Sequence, residues 1–457
     1  MSCAGIFSKE FQILSSMDRV NAFLSRNENK ILAAVLAVSF LLSFAYSFYF
    51  RIQPIVDALA YDRISWELAE GKGYDRQSAI GRPGPAYEFF LAGIFYVFGH
   101  SYPAVWIIQA LLHALTAFLV FRIAKLVFNQ DSHPIIGLGA ALLIGFSPDL
   151  ITMSAMLMTE TLTIFSMVFF VFLFFLYFRD KKISHLILSA AVLAIAALAR
   201  SNLILLAFPA FLFLFWNKLW RPLLVFAAVL LLCLTPWTVR NYLVYAEFMP
   251  FNAAVGALLA QGNYHGASGE LEPNFVWPEG YDQLSQIEFD KLARQDARRF
   301  IASHPLEFTK ITFWRTSMYF SIMRPTGFWP HLKGFAKAAT LASSFVYSTV
   351  LFLLGGLGAV LAIKGKFSKL RGESVFYLLL MSIMMPLAII GIVVETRYRF
   401  PIYPFLALFS GLSLSFLLSK AKIAFKPGLI VALVLFGNAI FDAWRNLSRI
   451  LERLGNL

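Results

Sequence analysis

Long apolar runs alternate with short polar segments along most of the chain. The first run, from Ile31 to Phe50, carries no charge and is about as long as a bilayer-spanning helix requires. Ten more runs bring the expected number of transmembrane helices to about eleven. They cover residues 103–127, 134–151, 153–178, 183–199, 202–216, 222–238, 338–363, 374–394, 400–419 and 427–443. The pattern predicts an all-α polytopic membrane protein.

Two polar segments, 51–102 and 239–337, are too long to be simple connectors between helices. Within the first, Ala86 to Phe98 is apolar but short and follows two prolines, so we expect an interfacial or re-entrant helix rather than a crossing. Within the second, Ser285 to Ser303 mixes apolar and charged residues, which predicts a surface helix. Because loops on a fixed scaffold carry function, candidate chemistry is expected in these two segments.

The composition agrees with a membrane protein. Hydrophobic residues make up 59% of the chain and charged residues only 14%, which is more apolar surface than a soluble core could hide. The net charge of +13 comes mostly from short basic clusters between apolar runs, so we expect no nucleic-acid partner. The two cysteines, Cys3 and Cys233, offer no disulfide framework.

Basic clusters also set the expected orientation. Those within 179–182, 218–221, 364–371 and 420–426 all lie on one face if the N-terminus is cytoplasmic. The predicted organisation has a cytoplasmic segment at 1–30 and a membrane domain at 31–238, whose first outer loop is 51–102. It continues with an outer loop domain at 239–337, C-terminal transmembrane helices at 338–443 and an amphipathic tail at 444–457.

Two candidate residues follow the first crossing directly. Asp57 and Tyr61 are four residues apart, so a helix would place both on one face at the outer membrane surface. A carboxylate there can accept a proton from a hydroxyl group, and helix capping is the alternative role for Asp57. Further along the loop, the guanidinium of Arg82 could hold a phosphate or could anchor among lipid headgroups.

Other charged residues lie near the outer ends of crossings, where a charge in hydrocarbon costs at least about 2.5 to 3.5 kcal/mol. We expect Glu160 about eight residues into the crossing that starts near 153, or roughly 12 Å below the outer surface. Arginines converging at that level would form an anion site, whereas structural ion pairs with Glu160 or Glu395 are the alternative. The outer arginines and the neighbouring asparagine are Arg200, Arg240, Asn241, Arg397 and Arg399.

Five stretches of sequence carry a family resemblance. They are Asp57-x-x-x-Tyr61 with Leu68-Ala-Glu-Gly71; Arg82-Pro-Gly-Pro-Ala-Tyr87 running to Phe98-Gly99; Pro236-Trp-Thr-Val-Arg240-Asn241; Gly262-Asn263; and Arg397-Tyr-Arg-Phe-Pro-Ile-Tyr-Pro404. In this order the chain resembles the GT-C superfamily, in particular the branch of protein O-mannosyltransferases and the aminoarabinose transferase of lipid A modification.

The resemblance implies a GT-C-type helix bundle and an inverting glycosyltransferase that uses a polyprenyl- or dolichyl-phosphate sugar. Asp57 would be the base, and the arginines would hold the lipid phosphate as it leaves. The other residues assigned to substrate binding are Tyr61, Glu160, Asn241 and Asn263.

The resemblance also implies partners and a location. We expect a polyprenyl-phosphate-linked sugar donor and an acceptor that is a glycolipid, a polysaccharide or a protein. The site would face the periplasm from a bacterial inner membrane. Ala58 and Gly81 stand where the family pattern has acidic residues, so no metal ligand is assigned, although a divalent metal stays open.

Three other functions compete with this interpretation. A lipid-linked saccharide polymerase or ligase usually has its functional arginines in later loops, whereas Asp57 and Arg82 lie in the first outer loop. A transporter or flippase usually has repeat-related halves, which the sequence does not display, although Pro209 and Pro386 do interrupt crossings. In a non-catalytic scaffold the charged residues would only organise loops.

Overall fold

The computed structural model describes residues 3–74, 84–128, 134–251, 255–272, 275–327, 329–365, 369–448 and 451. Helices form nearly all of the secondary structure in these ranges, together with one isolated bridge between Glu270 and Val394. The α-helices are α1 (Cys3–Phe50), α2 (Asp57–Ala69), α3 (Ala86–Phe98), α4 (Tyr102–Phe128), α5 (Pro134–Gly145), α6 (Pro148–Ser154), α7 (Glu160–Asp180), α8 (Ile183–Ala199), α9 (Ala207–Trp216), α10 (Trp220–Tyr245), α11 (Val255–Gly262), α12 (Gln286–Ser303), α13 (Pro305–Tyr319), α14 (Gly334–Lys364), α15 (Lys369–Ile390) and α16 (Tyr403–Arg445). Short 3₁₀ segments cover Ser201–Leu206, Tyr281–Gln283 and Thr396–Ile402.

The prediction of an all-α polytopic membrane protein is confirmed. In the part of the chain that the structure describes, eight helical stretches are long and apolar enough to cross a bilayer, or nine if the bent pair α5 and α6 is one span. The sequence predicted about eleven crossings. The difference lies in Ile183–Ala199 and Ser201–Trp216, which are apolar but fall short of the length that a crossing usually needs.

Helix breaks subdivide two of the predicted crossings. Segment 134–151 bends by 52° between α5 and α6, where Pro148 begins a new helix and the hydroxyl of Ser147 caps it by accepting from the backbone N–H of Leu150. Segment 153–178 does not begin as one continuous helix, because α6 ends at Ser154 and α7 starts only at Glu160. Polar or helix-breaking residues accompany both breaks, Pro148 and Asp149 at the first and Thr159 and Glu160 at the second, but hydropathy alone does not give the ends of the helices there.

The bundle is built around α4, which contacts α1, α5 and α7. Small residues allow the helices to approach closely, as is common in membrane bundles. Ser39, Ser43 and Ser47 lie on one fully buried face of α1, and Gly145 at the end of α5 lies against Ser39. These contacts pack the end of α5 closely against α1.

The last helix, α16, contains two membrane-length stretches that both lie against α14. Side chains from both stretches contact adjacent glycines of α14, since Leu406 lies against Gly355 and Val431 against Gly356. The chain therefore reverses direction between the two stretches, and its C-terminal end returns to the level of Tyr403.

The outer region contains α11, α12 and α13. The predicted surface helix is confirmed as α12, which starts with a capping box between Ser285 and Glu288. The end of α16 is joined to this region because the Nε and Nη2 atoms of Arg324 donate to the carboxylate of Asp442, at 2.8 and 2.9 Å. The end of α16 and the outer region consequently lie at the same end of the bundle.

We predict that Gly358→Ala destabilises the bundle, because a Cβ at this position would overlap the backbone carbonyl of Phe409 in α16. Overpacking of this kind typically costs about 1–3 kcal/mol. Thermal unfolding of the detergent-solubilised protein measures the effect. Gly437→Ala is the matched control, since a Cβ there would have nothing within 4 Å. Equal melting temperatures for the two variants would contradict the close α14–α16 contact.

Candidate active site

Asp57 is the first residue of α2, shortly after the membrane helix α1 ends at Phe50. The residue before it, Val56, has a φ of 50°, which is unusual for a β-branched residue and turns the chain sharply. Val56 occupies the capping position and Asp57 makes no capping hydrogen bond, so the capping alternative does not describe its contacts. Its side chain is 51% exposed and can be reached from outside the bundle.

Arg397 brings a distant part of the chain to this carboxylate. Its Nη2 atom lies 3.3 Å from Oδ2 of Asp57, and its Nε atom donates to Oε2 of Glu395 at 2.9 Å. The side chain of Arg397 is only 15% exposed, because the 3₁₀ segment Thr396–Ile402 holds it against the bundle. A contact across 340 residues therefore joins the first outer loop to the last pair of membrane stretches.

A second ion pair lies beside the first. Arg200, at the end of α8, donates from Nη2 to Oε1 of Glu160 at 2.5 Å and from Nε to the hydroxyl of Thr159 at 3.0 Å. The guanidinium groups of Arg200 and Arg397 lie 5.5 and 5.8 Å from the ring centroid of Tyr398. We call Asp57, Glu160, Arg200, Glu395, Arg397 and Tyr398 the outer charge cluster.

The position of Glu160 differs from the prediction. It is the first residue of α7 rather than a residue deep within a crossing. A carboxylate at a helix N-terminus is stabilised by the helix dipole and by the free backbone N–H groups of the first turn. This placement explains how a carboxylate that is 1% exposed can be retained beside the lipid region.

Tyr61 lies next to the outer charge cluster, as expected from its spacing to Asp57. Its side chain is buried and its ring meets that of Tyr87 edge-on, with centroids 5.4 Å apart. Burial, followed by the nearby charge of Asp57, raises the pKa of Tyr61 well above its usual value. The charges of Arg200 and Glu160 also affect the pKa of Tyr61, so residues of both ion pairs contribute to it.

Arg240 is held in a separate aromatic cage at the end of α10. Its guanidinium lies 5.3, 5.0 and 5.2 Å from the ring centroids of Tyr74, Trp237 and Tyr245. It also donates to the hydroxyl of Tyr245 at 3.0 Å and to Oδ1 of Asn241 at 3.2 Å. None of its described contacts is with the outer charge cluster.

Asn241 and Asn263, both predicted to bind substrate, have structural contacts in this state. The Asn241 amide donates to the backbone carbonyls of Met249 and Phe251, at 2.9 and 3.0 Å. Asn263 donates to the carbonyl of Leu259 at 2.8 Å and accepts from Arg315 at 3.1 Å. Both side chains are buried, so each ties backbone segments together.

Arg399 does not join the outer charge cluster, although it is only two residues from Arg397. Its guanidinium donates to the backbone carbonyls of Ser321 and Arg324, each at 2.7 Å. The side chain is 1% exposed, which leaves no open face for a phosphate. The predicted phosphate contact of Arg399 therefore has no support in these contacts.

Two expectations cannot be compared with geometry. Arg82 lies outside the described residues, so its proposed phosphate contact stays a prediction. A divalent metal also stays open; within the searched, described residues, no group of three or more His, Cys, Asp or Glu side chains could hold a metal ion.

Two further residues contribute to this region, although the sequence pattern assigned them no role. Tyr398 separates the two arginines of the Arg-Tyr-Arg stretch, and that alternation was the available signal. Glu88, at the start of α3, is fully buried and accepts a hydrogen bond from the hydroxyl of Tyr74. Burial raises the pKa of Glu88 to about 8. An acidic residue in a short apolar helix gave no reason to expect this.

We predict that Glu160→Gln destabilises the protein by about 3–5 kcal/mol, because the largely buried Arg200 would lose its counter-charge. The midpoint of chemical unfolding in detergent measures this loss. Glu70→Gln removes one carboxylate from the solvent-exposed pair with Lys72 and should change the midpoint little. If both variants unfold at the wild-type midpoint, the Arg200–Glu160 pair does not support the fold.

The described geometry can be compared with known proteins. The family of dolichyl-phosphate-mannose-protein mannosyltransferases matches residues 82–239, from the first outer loop to the last turns of α10. No protein of curated function matches the chain in sequence.

Solved structures with a similar fold include two of an oligosaccharyltransferase from Archaeoglobus fulgidus and one of ArnT from Cupriavidus metallidurans. Archaeal oligosaccharyltransferase AglB from Archaeoglobus fulgidus, in complex with an inhibitory peptide and a dolichol-phosphate, is 15% identical with a TM-score of 0.52, over 92% of this chain and 56% of its own. ArnT from Cupriavidus metallidurans, bound to undecaprenyl phosphate, is 14% identical with a TM-score of 0.51, over 88% and 62%. The Archaeoglobus fulgidus oligosaccharyltransferase tethered to an acceptor peptide is 16% identical with a TM-score of 0.50, over 90% and 54%.

The chain therefore spans between 54% and 62% of the length of these three structures. Likenesses at such low identity concern the fold, and the sequence match concerns the region from the first outer loop to α10. Together they agree with the GT-C-type helix bundle that the sequence resemblance predicts, and they place residues 82–239 among sequences similar to the dolichyl-phosphate-mannose-protein mannosyltransferases.

Proposed function

We propose that this protein transfers a sugar from a polyprenyl-phosphate donor to an acceptor hydroxyl at the outer end of the helix bundle. The contact between Asp57 and Arg397 carries the proposal, because it joins a reachable carboxylate to a fixed guanidinium. Structures of similar fold contain dolichol-phosphate and undecaprenyl phosphate, which supports a lipid phosphate as the carrier.

Asp57 is the proposed general base. Only Oδ2 of its carboxylate contacts Arg397 among the described hydrogen bonds, so Oδ1 is available to an acceptor hydroxyl. The acceptor oxygen attacks the anomeric carbon while the bond between this carbon and the phosphate oxygen breaks. The hydroxyl proton moves to Asp57, and attack from the face opposite the phosphate inverts the anomeric configuration.

Arg397 and Arg200 are the proposed partners of the leaving phosphate. Fixed guanidinium donors stabilise charge that develops on the phosphate as the bond breaks. Protonation of Asp57 would also weaken its ion pair with Arg397, which frees that guanidinium as the phosphate becomes more negative. Proton transfer and leaving-group stabilisation would in this way be coupled through one contact.

The charge balance calls for a further cation. The described cluster has three carboxylates, on Asp57, Glu160 and Glu395, but two guanidinium groups, on Arg200 and Arg397. A phosphate entering this cluster therefore needs additional positive charge. Arg82 remains the proposed source, as the sequence suggested, with a divalent metal as the alternative.

The proposed location is a bacterial inner membrane, with the site facing the periplasm. The support is the distribution of charge along α7, which runs from Glu160 in the outer charge cluster to the basic residues around Lys181. Basic loops favour the cytoplasmic side, so the outer charge cluster belongs on the opposite side. Acceptors from the cell envelope would be available there.

Asp57→Asn should reduce transfer by about 10²–10⁴-fold, because an amide cannot accept the acceptor proton. Mass spectrometry of lipid-linked sugars and envelope glycans checks this in a deletion strain and in a strain carrying the variant. We expect the same polyprenyl-phosphate sugar to accumulate in both strains.

Asp62→Asn is the matched control on the same helix, since Asp62 is buried and pairs with His100 and Tyr102 rather than with the outer charge cluster. This variant should lower thermal stability but retain transfer. A wild-type glycan pattern in the Asp57→Asn strain would show that Asp57 is not the general base.

Arg397→Gln should weaken the binding of undecaprenyl phosphate at least about tenfold, because it removes a charge-assisted contact to the phosphate. Native mass spectrometry in nanodiscs with this lipid as a titrant measures the affinity. Arg399→Gln should lower thermal stability with little change in affinity, since Arg399 contacts backbone carbonyls. If Arg399→Gln weakened lipid binding and Arg397→Gln only lowered thermal stability, the roles assigned to these two arginines would be reversed.

A further inference from the structure

A groove in the outer region lies between α12 and the loop that follows α10. Its volume is about 560 Å³, which lies in the range typical of small-ligand sites. The side chains that define its chemistry are Glu247, Phe248, Asp290, Lys291, Arg294 and Arg298. We call it the α12 groove; it shares no lining residue with the outer charge cluster.

Positive charge predominates along one wall of the α12 groove. Lys291, Arg294 and Arg298 are three and four residues apart and therefore lie on one face of α12; Arg299 also lines the groove but pairs with Asp296 at 3.7 Å. Two carboxylates, on Glu247 and Asp290, oppose them. Arginine presents a planar set of N–H donors that matches phosphate and carboxylate groups.

Both carboxylates are already engaged in contacts within the protein. Asp290 is 3% exposed and accepts from the backbone N–H groups of Gly256 and Ala257 at 2.7 and 3.2 Å, as well as from Arg294 at 2.8 Å. Glu247 pairs with Lys291. The two carboxylates of the α12 groove therefore do not pair with all of its cationic side chains.

Two arginine groups keep unused donors. Arg298 has no hydrogen bond or ion pair with any residue in the part of the chain that the structure describes. The buried Nε atom of Arg294 likewise has no hydrogen-bond partner there. The donors of Arg298 are available to an oxyanion that enters the groove, whereas Arg294 can be reached only through the exposed part of its side chain, which is 41% exposed.

Apolar side chains also line the groove. Phe248, which is 76% exposed, and Met249 lie on the loop side, and Ile287 lies on α12 itself. Such a combination suits a ligand that carries an anionic group on a body with apolar faces, as a sugar ring does. A simple inorganic anion would not use the apolar side chains.

The α12 groove is also connected to the membrane domain. The amide of Asn241 donates to the carbonyl of Met249, so the last turn of α10 holds the loop wall of the groove in place. Arg240 lies next to Asn241 in the same turn. An acceptor bound in the groove would be held by an element that belongs to the transferase body.

We propose that the α12 groove binds the acceptor through an oxyanion carried on its sugar, so that the acceptor is an anionic glycan or glycolipid. This inference rests on the proposed transferase function and adds the chemical class of the acceptor. Arg294 and Arg298 contact the oxyanion, and Phe248 contacts the sugar ring.

Chemical protection tests the proposal on the full chain in phosphatidylcholine nanodiscs. Phenylglyoxal modifies accessible arginines, and mass spectrometry reads the extent of modification at Arg294 and Arg298. Glucose 1-phosphate is the probe and glucose the neutral control. We expect protection by the phosphate sugar and none by glucose, in both the wild-type and the Asp57→Asn protein.

Two variants distinguish binding in the α12 groove from general electrostatic attraction to the protein. Arg298→Gln should weaken glucose 1-phosphate binding about tenfold, because one charged hydrogen-bond donor is lost. Lys310→Gln removes the same charge from an exposed position on α13 and should leave binding unchanged. Wild-type affinity in Arg298→Gln, or no protection of either arginine, would overturn the proposal.

A third experiment distinguishes whether the bound anion belongs to a sugar or to a lipid headgroup. Nanodiscs that contain phosphatidylglycerol but no sugar phosphate present a lipid headgroup alone. Protection there, combined with none by glucose 1-phosphate, would overturn the acceptor assignment in favour of a lipid-headgroup site. Probe binding without transfer by the wild type would contradict the proposed function only, whereas transfer with unprotected groove arginines would contradict the groove proposal only.

Discussion

The outer end of the bundle is organised by the need to compensate guanidinium groups that have little contact with water. Arg200 and Arg397 are 13% and 15% exposed, and each is held by carboxylates from other parts of the chain. Removing such a partner leaves an uncompensated charge, which is costly in a protein interior. The first pair joins α2 to the Thr396–Ile402 segment and the second joins α7 to the end of α8, while the ring of Tyr398 lies near both guanidinium groups. Asp57 owes its position to this constraint.

Another group of arginines supports the architecture through backbone carbonyls. Arg315 is fully buried and donates to the carbonyls of Gly262 and Ile390, which joins α11 and α13 to the end of α15. Arg399 fastens the turn between α13 and α14 to the bundle in a similar way. Both groups consist of arginines. Only burial and hydrogen-bond partners therefore distinguish the arginines of the outer charge cluster, which are suited to ligand binding, from those that support the fold.

The membrane-spanning pattern was predictable because a bilayer imposes length and hydropathy on every crossing. The ends of the helices around Pro148 and Glu160 were not, since they depend on capping and turn geometry, although Pro148 with Asp149 is a recognisable turn sequence. Periodicity also could not distinguish Arg397 from Arg399, because they share one short segment and differ only in the direction of their side chains. The family resemblance implied that Asp57 and the arginines share one site, but it did not specify the Asp57–Arg397 contact, since no local pattern links residues so far apart. The pairs of Arg200 with Glu160 and of Arg397 with Glu395 are those that the structural alternative named.

The most direct test of this account is an experimental structure of the protein in nanodiscs with bound undecaprenyl phosphate, determined by cryo-electron microscopy. We expect the phosphate within hydrogen-bond distance of Arg397 and Arg200, with the Asp57 carboxylate facing the position of the anomeric carbon. A phosphate bound in the aromatic cage around Arg240, with Asp57 turned away from it, would contradict the central claim.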